Sequence, residues 1–227
     1  ETLVKHGVNE DRIMLAPNFS HIEPSQMSKQ CARDVLGWPQ GRYLLVHTGN
    51  LGMKQDLSYA IDAVRMSDGS PPFDLVLVGD GNHRQYLESY ARNLTNVRFI
   101  DPLPPDRYPL ALAAADALLV SERPSAGHMS IPSKLTSYWI AGRPIIGSVP
   151  SGGITERAIH DSSSGLVVAA GHPEEIVAAV TKLQSNPKLA LSLAQSGSDH
   201  ARAHMGRESA ARRYLLLAQR ILESRTS

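Results

Sequence analysis

Short apolar runs and amphipathic stretches alternate along this chain from Tyr43 onward. Glycine, proline or polar turn residues follow each apolar run, which is typical of strands that are buried on both faces of a sheet. The predicted strands are Tyr43–Thr48, Phe73–Val78, Val97–Ile100, Ala117–Ser121, Pro144–Ser148 and Gly165–Ala169.

Between these runs, apolar residues recur at helical spacing, as they do at Leu57, Ala60, Ile61 and Val64. The predicted helices are Ser25–Leu36, Asp56–Met66 with Asp56 as its cap, Arg84–Leu94, Tyr108–Ala115, Ser133–Ala141, Thr155–Asp161, Pro173–Leu183, Pro187–Ala203 and Glu208–Ser224. Strands that alternate with helices of this length predict right-handed crossovers. The expected fold class is therefore α/β, with one Rossmann-like, doubly wound parallel sheet.

Three segments are predicted along the chain. Residues 1–41 are rich in turn formers and are predicted to connect domains, whereas residues 42–205 form the Rossmann-like domain. Residues 206–227 form a last helix, with Ala211, Leu215, Ala218 and Leu222 on one stripe. That stripe is wider than a terminal helix on a finished surface needs, so we expect the helix to be loosely held or covered by another surface. The alternative is that the helix packs wholly on its own sheet.

Composition excludes several classes of function. The 23 basic and 22 acidic residues give a net charge of +1, so the chain has no overall positive field that would attract nucleic acid. A single cysteine, Cys31, excludes a disulfide framework, and it is expected to pack within a helix. No apolar run approaches the ~20 residues that are needed to span a bilayer.

The loop that follows the first predicted strand is a candidate phosphate site. Gly49 and Gly52 allow the backbone to approach a ligand closely, and Lys54 adds a positive charge before the next helix. The loop matches neither a Walker sequence nor GxGxxG, so a plain strand-to-helix turn with a surface lysine is the alternative.

Two further pairs of residues could bind a ligand. Ser133 and Lys134 follow Pro132 at a predicted helix start, where a cation is unfavourable unless an anion is bound; otherwise Lys134 extends into solvent. Glu122 and Arg123 follow a predicted strand and suit sugar hydroxyls and phosphate, but a salt-bridged strand end explains them equally well.

No catalytic residue can be assigned from the sequence. The nine histidines fall mostly in separate elements, and no HExxH or GxSxG motif is present, so we predict no metal site. Tyr138 and Trp139 lie at core-facing helical positions and are predicted to pack in the interior.

Six motifs, taken in order, resemble the C-terminal half of retaining glycosyltransferases with the GT-B fold, namely carbohydrate-active family four of the bacterial polysaccharide or cell-wall type. The similarity extends over almost the whole chain and includes the stretch MLAPNFSHIEP before the first strand. The motifs are GNLGMKQDLSYAIDA from Gly49, LVGDG from Leu77, NVRFIDPLP from Asn96, ADALLVSERP from Ala115, MSIPSKLTSYWIAGRPII from Met129 and SGLVVAAGHPEEIVAAV from Ser164.

This resemblance implies roles for individual residues. It implies that the loop Gly49, Asn50, Leu51, Gly52 and Lys54 holds the diphosphate of a nucleotide sugar, together with the strand end at Gly79. It also implies that Asp101 and Leu103 lie by the base, and that Ser133 and Lys134 face the ribose and phosphates.

The chain departs from the family at positions where many members carry charged groups. Asn50 stands where an arginine is common, and Met129 and Ser137 stand at the positions of two glutamates. Glu122 or Arg123 could substitute for them.

By this resemblance the chain is the donor-binding domain of an enzyme that transfers a hexose or N-acetylhexosamine to a glycan, lipid-linked or small-molecule acceptor. The expected partners are the nucleotide sugar and an N-terminal domain, toward which the last helix would pack and without which this chain is inactive. No metal or other cofactor is expected. The full-length enzyme is expected in the cytoplasm, with peripheral association at the inner membrane face. The alternatives are a GT-B sugar-nucleotide epimerase and a non-catalytic nucleotide-sugar binding module.

Overall fold

Six strands and the helices around them form the part of the chain that the computed structural model describes, which is residues 2–14, 19, 22–67, 73–125 and 132–226. The strands are β1 (Tyr43–Thr48), β2 (Phe73–Val78), β3 (Val97–Ile100), β4 (Ala117–Ser121), β5 (Ile145–Val149) and β6 (Gly165–Ala169). The helices are α1 (Thr2–Lys5), α2 (Lys29–Leu36), α3 (Ser58–Met66), α4 (Arg84–Tyr90), α5 (Tyr108–Ala114), α6 (Lys134–Ile140), α7 (Ile154–Asp161), α8 (Pro173–Ser185), α9 (Pro187–His204) and α10 (Arg207–Thr226), with a short 3-10 helix at Glu10–Arg12.

The six strands form one parallel sheet in the order β3-β2-β1-β4-β5-β6. This is the doubly wound Rossmann order, in which the direction of winding reverses between β1 and β4. The α/β fold class that the sequence predicts is therefore confirmed.

Each face of the sheet carries its own apolar core. On one face Leu44 and Leu118 pack with Trp139 of α6, whereas on the other face Leu45 packs with Ile61 of α3. Both faces are covered, so the strands can be apolar at nearly every position.

The bounds of β1, β2, β3, β4 and β6 agree with the sequence prediction, but β5 starts one residue later, at Ile145. Pro144 has no N–H group to donate to the sheet, so only its carbonyl takes part, as the acceptor for Leu118 N at 2.9 Å. Helix ends differ from the prediction by one or two residues in most cases, whereas α4 ends at Tyr90 rather than Leu94.

The predicted starts of α2 and α3 are wrong. Helix α2 begins at Lys29 because the Ser28 hydroxyl accepts from Cys31 N at 3.2 Å and so caps the helix. Helix α3 begins at Ser58, because Asp56 has a left-handed backbone (φ +42°) and its carboxylate accepts from the Ser58 hydroxyl instead of capping.

Part of the segment that was predicted to connect domains packs against the sheet domain. Ala32 and Trp38 are buried, and α2 lies against α5. The expected packing of Cys31 is wrong, because its side chain lies on the exposed face of α2.

Helix α10 leaves large apolar side chains exposed. Ala210 is buried near its start, but Tyr214 is 57% and Leu215 65% exposed. Among the described residues, no helix is long and apolar enough to cross a membrane.

Candidate functional site

A cleft of about 470 Å³ opens at the carboxyl edge of the sheet, where the strand order reverses. Ligands of doubly wound sheets bind at this place, because the loops after the two diverging strands leave a crevice. The cleft walls include Thr48, Gly49, Asn50, Tyr108, Ser133, Lys134 and Ser137.

The loops after β1 and β2 are locked together by backbone hydrogen bonds. Gly49 N donates to Val78 O and Leu51 N donates to Asp80 O, each at 2.8 Å. Gly79 has φ +142°, and a Cβ there would lie 1.9 Å from Gly49 O, so only glycine allows this contact. Gly79 and the buried Leu51 therefore position the β1 loop.

Gly49 and Asn50 bring the β1 loop to the cleft. Gly49 has φ +104°, and a Cβ there would lie 3.7 Å from Lys134 Nζ, so the missing side chain leaves space beside the amino group. Asn50 is exposed. Gly52 is buried, and a Cβ there would lie 2.7 Å from Asn50 Nδ2, so a larger residue at this position would displace the Asn50 side chain.

The Lys134 amino group is held against a buried histidine. Lys134 Nζ lies 2.9 Å from His47 Nε2, and His47 Nδ1 lies 3.1 Å from Leu119 O. Because Lys134 donates and the carbonyl accepts, we assign the hydrogen of the neutral imidazole to Nδ1. The lysine that the sequence places at a helix start thus lies inside the cleft.

The lowered pKa values of Lys134 and His47 indicate that the site lacks the negative charge that would stabilise a protonated lysine. Burial lowers the pKa of Lys134 to about 7, although the charge of Glu122 acts in the opposite direction. Burial, and then the neighbouring Lys134, lower the pKa of His47 well below its ordinary value. An anion in the cleft would stabilise the charged form of Lys134.

Hydroxyl groups connect β1 to the cleft wall. Thr48 N donates to Tyr138 Oη at 2.9 Å, and Thr48 Oγ1 lies 3.0 Å from Tyr108 Oη. Tyr138 is buried, as predicted, but its hydroxyl also fixes the last residue of β1. Tyr108 lies in the cleft wall and presents a phenol that can bind a polar ligand.

Ser133 lies directly before α6, one residue ahead of the observed helix start, and its hydroxyl makes no capping bond. Its backbone is already helical, with φ −57°, and its carbonyl accepts from Thr136 Oγ1 at 2.7 Å. The side chain is exposed at the cleft wall, where it can meet a ligand.

Lys54 lies outside the cleft walls with an exposed side chain. Its carbonyl accepts from Arg123 N at 2.9 Å, which ties the β1 loop to the end of β4. Glu122 Oε1 accepts from Thr155 Oγ1 at 2.6 Å. Among the described residues no ion pair joins Glu122 to Arg123, and Arg123 Nε is buried without a hydrogen-bond partner.

Asp101 and Leu103 lie outside the cleft walls as well. Asp101 is exposed and pairs with Arg84 Nη1 at 2.6 Å, while Leu103 packs partly buried against the core. Ser137, at one of the two glutamate positions, is mostly buried and borders the cleft. Met129 lies outside the described residues, as do residues 15–18, 20 and 21 of the stretch before the first strand.

Sequence reasoning missed His47, Thr48 and Tyr108 as site residues. One signal was available, because a histidine next to the end of an otherwise apolar strand needs a buried partner. The partner of His47 comes from α6, which is 87 residues away in the sequence. Among the described residues, no group of His, Cys, Asp and Glu is placed to hold a metal ion.

A protein of Escherichia coli (strain K12) named for colanic acid biosynthesis, the glycosyl transferase WcaI, is 30% identical to this chain over 146 residues. The match covers 61% of this chain and 35% of WcaI.

Two solved structures share the fold. Anabaena HepE, in complex with UDP, matches with a TM-score of 0.76 and 15% identity, over 99% of this chain and 60% of HepE. The C-terminal domain of a Glycosyl Transferase Group 1 family protein, LpcC from Francisella tularensis, matches with a TM-score of 0.61 and 18% identity, over 78% of this chain and 92% of that domain. The chain thus spans only part of WcaI and HepE but most of the LpcC domain.

The family described as Glycosyl transferases group 1 matches residues 28–200. That range begins at the Ser28 cap of α2 and contains all six strands and the whole β1 loop. The chain is therefore a Rossmann-like domain of the GT-B type and belongs to the family Glycosyl transferases group 1.

Proposed function

We propose that this chain is the donor-binding domain of a retaining glycosyltransferase and binds a nucleotide-diphosphate sugar in the cleft. The observation that carries this proposal is the Lys134 amino group beside Gly49. It faces the cleft, and among the described residues no carboxylate forms a salt bridge with it. A diphosphate would supply the missing negative charge.

The arrangement around Lys134 suits phosphate oxygens. The absent side chain of Gly49 leaves room next to Nζ, and Tyr108 and Ser133 also line the cleft, where their hydroxyl groups can meet a ligand. Each of these groups can donate a hydrogen bond to an anionic oxygen. Lys54, exposed outside the cleft, is the second cation in our proposal.

UDP is the first nucleotide to test, because HepE was solved with UDP. In our proposal the base lies toward Asp101 and Leu103, as the family resemblance implies. The retention of anomeric configuration and the transfer of a hexose or N-acetylhexosamine rest on that resemblance too.

The acceptor site belongs, in our proposal, to a part of the enzyme outside this chain. Two observations support this: the chain spans 60% of HepE, and α10 exposes Tyr214 and Leu215. A second apolar surface would cover them. We expect this chain to bind donor without transferring sugar.

Calorimetry with UDP and uridine tests the proposal on this chain directly. UDP should bind at least about tenfold more tightly than uridine, because the diphosphate meets Lys134 and uridine does not. Excess EDTA should leave UDP affinity unchanged, since the proposed site uses cationic side chains instead of a metal. Equal affinity for UDP and uridine would contradict the proposed cleft, and loss of UDP binding with EDTA would contradict metal independence.

A further inference from the structure

A second pocket, of about 420 Å³, lies at the amino edge of the sheet, opposite the proposed donor cleft. Tyr43 at the start of β1 and Asp116 and Pro144, which precede β4 and β5, form its floor. The junction of α8 and α9 forms the other wall. A pocket of this size is large enough for a small metabolite.

This amino-edge pocket is lined by three residues, each with a buried polar atom that has no hydrogen-bond partner within the described structure. The atoms are Tyr43 Oη, Arg143 Nε and Gln184 Oε1. Buried polar atoms are rarely left unpaired, since burial removes the water that would otherwise bind them. Five such atoms occur among the described residues, and three of them belong to residues that line this one pocket.

The charges around the pocket favour an anion. Asp116 is the only acidic residue in its walls, and it already pairs with Lys29 and Arg33 and accepts from Leu44 N at 2.7 Å. Among the described residues, Arg143 donates hydrogen bonds only to backbone carbonyls, including one from Nη2 to Ala113 O at 2.7 Å. The pocket walls therefore hold two cations, Lys29 and Arg143, and one carboxylate that is already paired.

The wall opposite these charges is apolar. Leu183, Pro187 and Leu191 come from the end of α8 and the start of α9, and Leu191 is 71% exposed. A ligand that pairs with Arg143 would cover this leucine with its uncharged part.

We infer that the amino-edge pocket binds a small organic anion, in which a carboxylate or phosphate ester is joined to a compact apolar body. The anionic oxygens would pair with Arg143, and a hydroxyl or amide of the ligand would bond Tyr43 or Gln184. Burial raises the pKa of Tyr43, which keeps its phenol protonated as a donor.

Four probes separate the chemistry of the ligand: phenyl phosphate, phenylacetate, inorganic phosphate and benzyl alcohol. We expect at least one aromatic anion to bind saturably, at least tenfold more tightly than benzyl alcohol or inorganic phosphate. Whether phosphate or carboxylate binds better identifies the anionic group. In NMR spectra of this chain the Gln184 side-chain amide should shift on binding.

Arg143→Gln should weaken binding of the preferred anion tenfold or more, and Gln184→Met should weaken it by a smaller factor. Lys182→Gln is the matched control, because Lys182 is exposed on α8 and lies outside the pocket walls. Circular dichroism and the UDP affinity of each variant show whether the fold is retained. If Arg143→Gln does not fold, Gln184→Met and Tyr43→Phe decide the test.

Four results would overturn the inference. The first is that neither aromatic anion binds saturably, and the second is that benzyl alcohol binds as tightly as they do. Folded Arg143→Gln could also bind the anions as well as the unaltered chain does. NMR shifts confined to Gly49 and Lys134, at the other edge of the sheet, would equally overturn it.

Discussion

Two buried cationic clusters lie at opposite edges of the sheet and differ in how their charge is neutralised. At the amino edge Arg33 is 3% exposed, and its guanidinium pairs with Asp116 and donates to Ala114 O and Arg42 O. At the carboxyl edge Lys134 has the neutral imidazole of His47 as its hydrogen-bond partner.

This difference separates a structural cluster from a binding site. A buried cation with a bonded carboxylate stabilises the fold only as long as the pair is intact, because desolvation of either charge alone is costly. A buried cation with a neutral partner gives up its proton easily and gains most from an external anion. The four predictions below test the contrast, in order of decreasing effect.

Asp116→Ala should lower the free energy of unfolding by about 3–5 kcal/mol, because it leaves Arg33 buried without its counter-charge. Urea denaturation followed by circular dichroism measures the loss. Asp199→Ala is the control, since Asp199 pairs with Arg202 on the exposed face of α9 and should cost less than about 1 kcal/mol. Equal losses in the free energy of unfolding for the two variants would contradict a structural role for the ion pair between Arg33 and Asp116.

Lys134→Met should weaken UDP binding by roughly 1.5–3 kcal/mol, the range of a charge-assisted hydrogen bond, and leave uridine binding nearly unchanged. The free energy of unfolding should not fall in parallel, because the variant removes a buried charge that lacks a carboxylate. Lys188→Met, an exposed position on α9, serves as the control. A variant that binds UDP normally would exclude Lys134 from the donor site.

The affinity for UDP should fall as the pH rises. In the free chain the pKa of Lys134 is about 7. A bound diphosphate raises the pKa of the amino group, so above pH 7 binding must take up a proton. Between about pH 6 and pH 8 the dissociation constant should increase roughly tenfold, or ~1.4 kcal/mol.

Calorimetry at pH 8 in two buffers of different ionisation enthalpy measures this proton uptake directly. Close to one proton should be taken up by the unaltered chain, and the Lys134→Met variant should show far less. Equal uptake in both proteins would assign the titration to a group other than Lys134.

Lys54→Met should weaken UDP binding by only about 0.5–1 kcal/mol, because an exposed lysine is screened by solvent and loses side-chain entropy on binding. The loss should shrink further at high salt, whereas that of Lys134→Met should persist. A larger loss for Lys54→Met than for Lys134→Met would reverse the comparison and make the β1 loop the principal phosphate site.

The sequence was a good guide to strands and a weaker guide to helix starts. Five of the six strands have the predicted bounds, because residues buried on both faces form continuous apolar runs. The starts of α2 and α3 were misplaced, because a cap depends on backbone angles. Ser28 adopts the extended conformation of a cap, whereas Asp56 turns into the left-handed region.

The same division holds at the candidate site. Gly49, Ser133 and Lys134 were identified from local chemistry and Asn50 from the family resemblance, and the structure brings all four to one cleft. The positions of Lys54, Asp101 and Glu122 relative to that cleft could not be predicted, because loop direction depends on contacts with neighbouring loops. Their proposed contacts with donor remain predictions.

The sequence by itself determined the alternation of strands and helices, the parallel sheet and the loops that follow each strand. It did so because apolar periodicity and turn residues act over a few neighbouring positions. Only the tertiary structure placed Lys134 against His47, joined Tyr138 to Thr48 and paired Arg33 with Asp116. Those contacts connect residues more than 80 positions apart, and each of them is stronger in the folded core than it would be in water, because the interior has a lower dielectric constant.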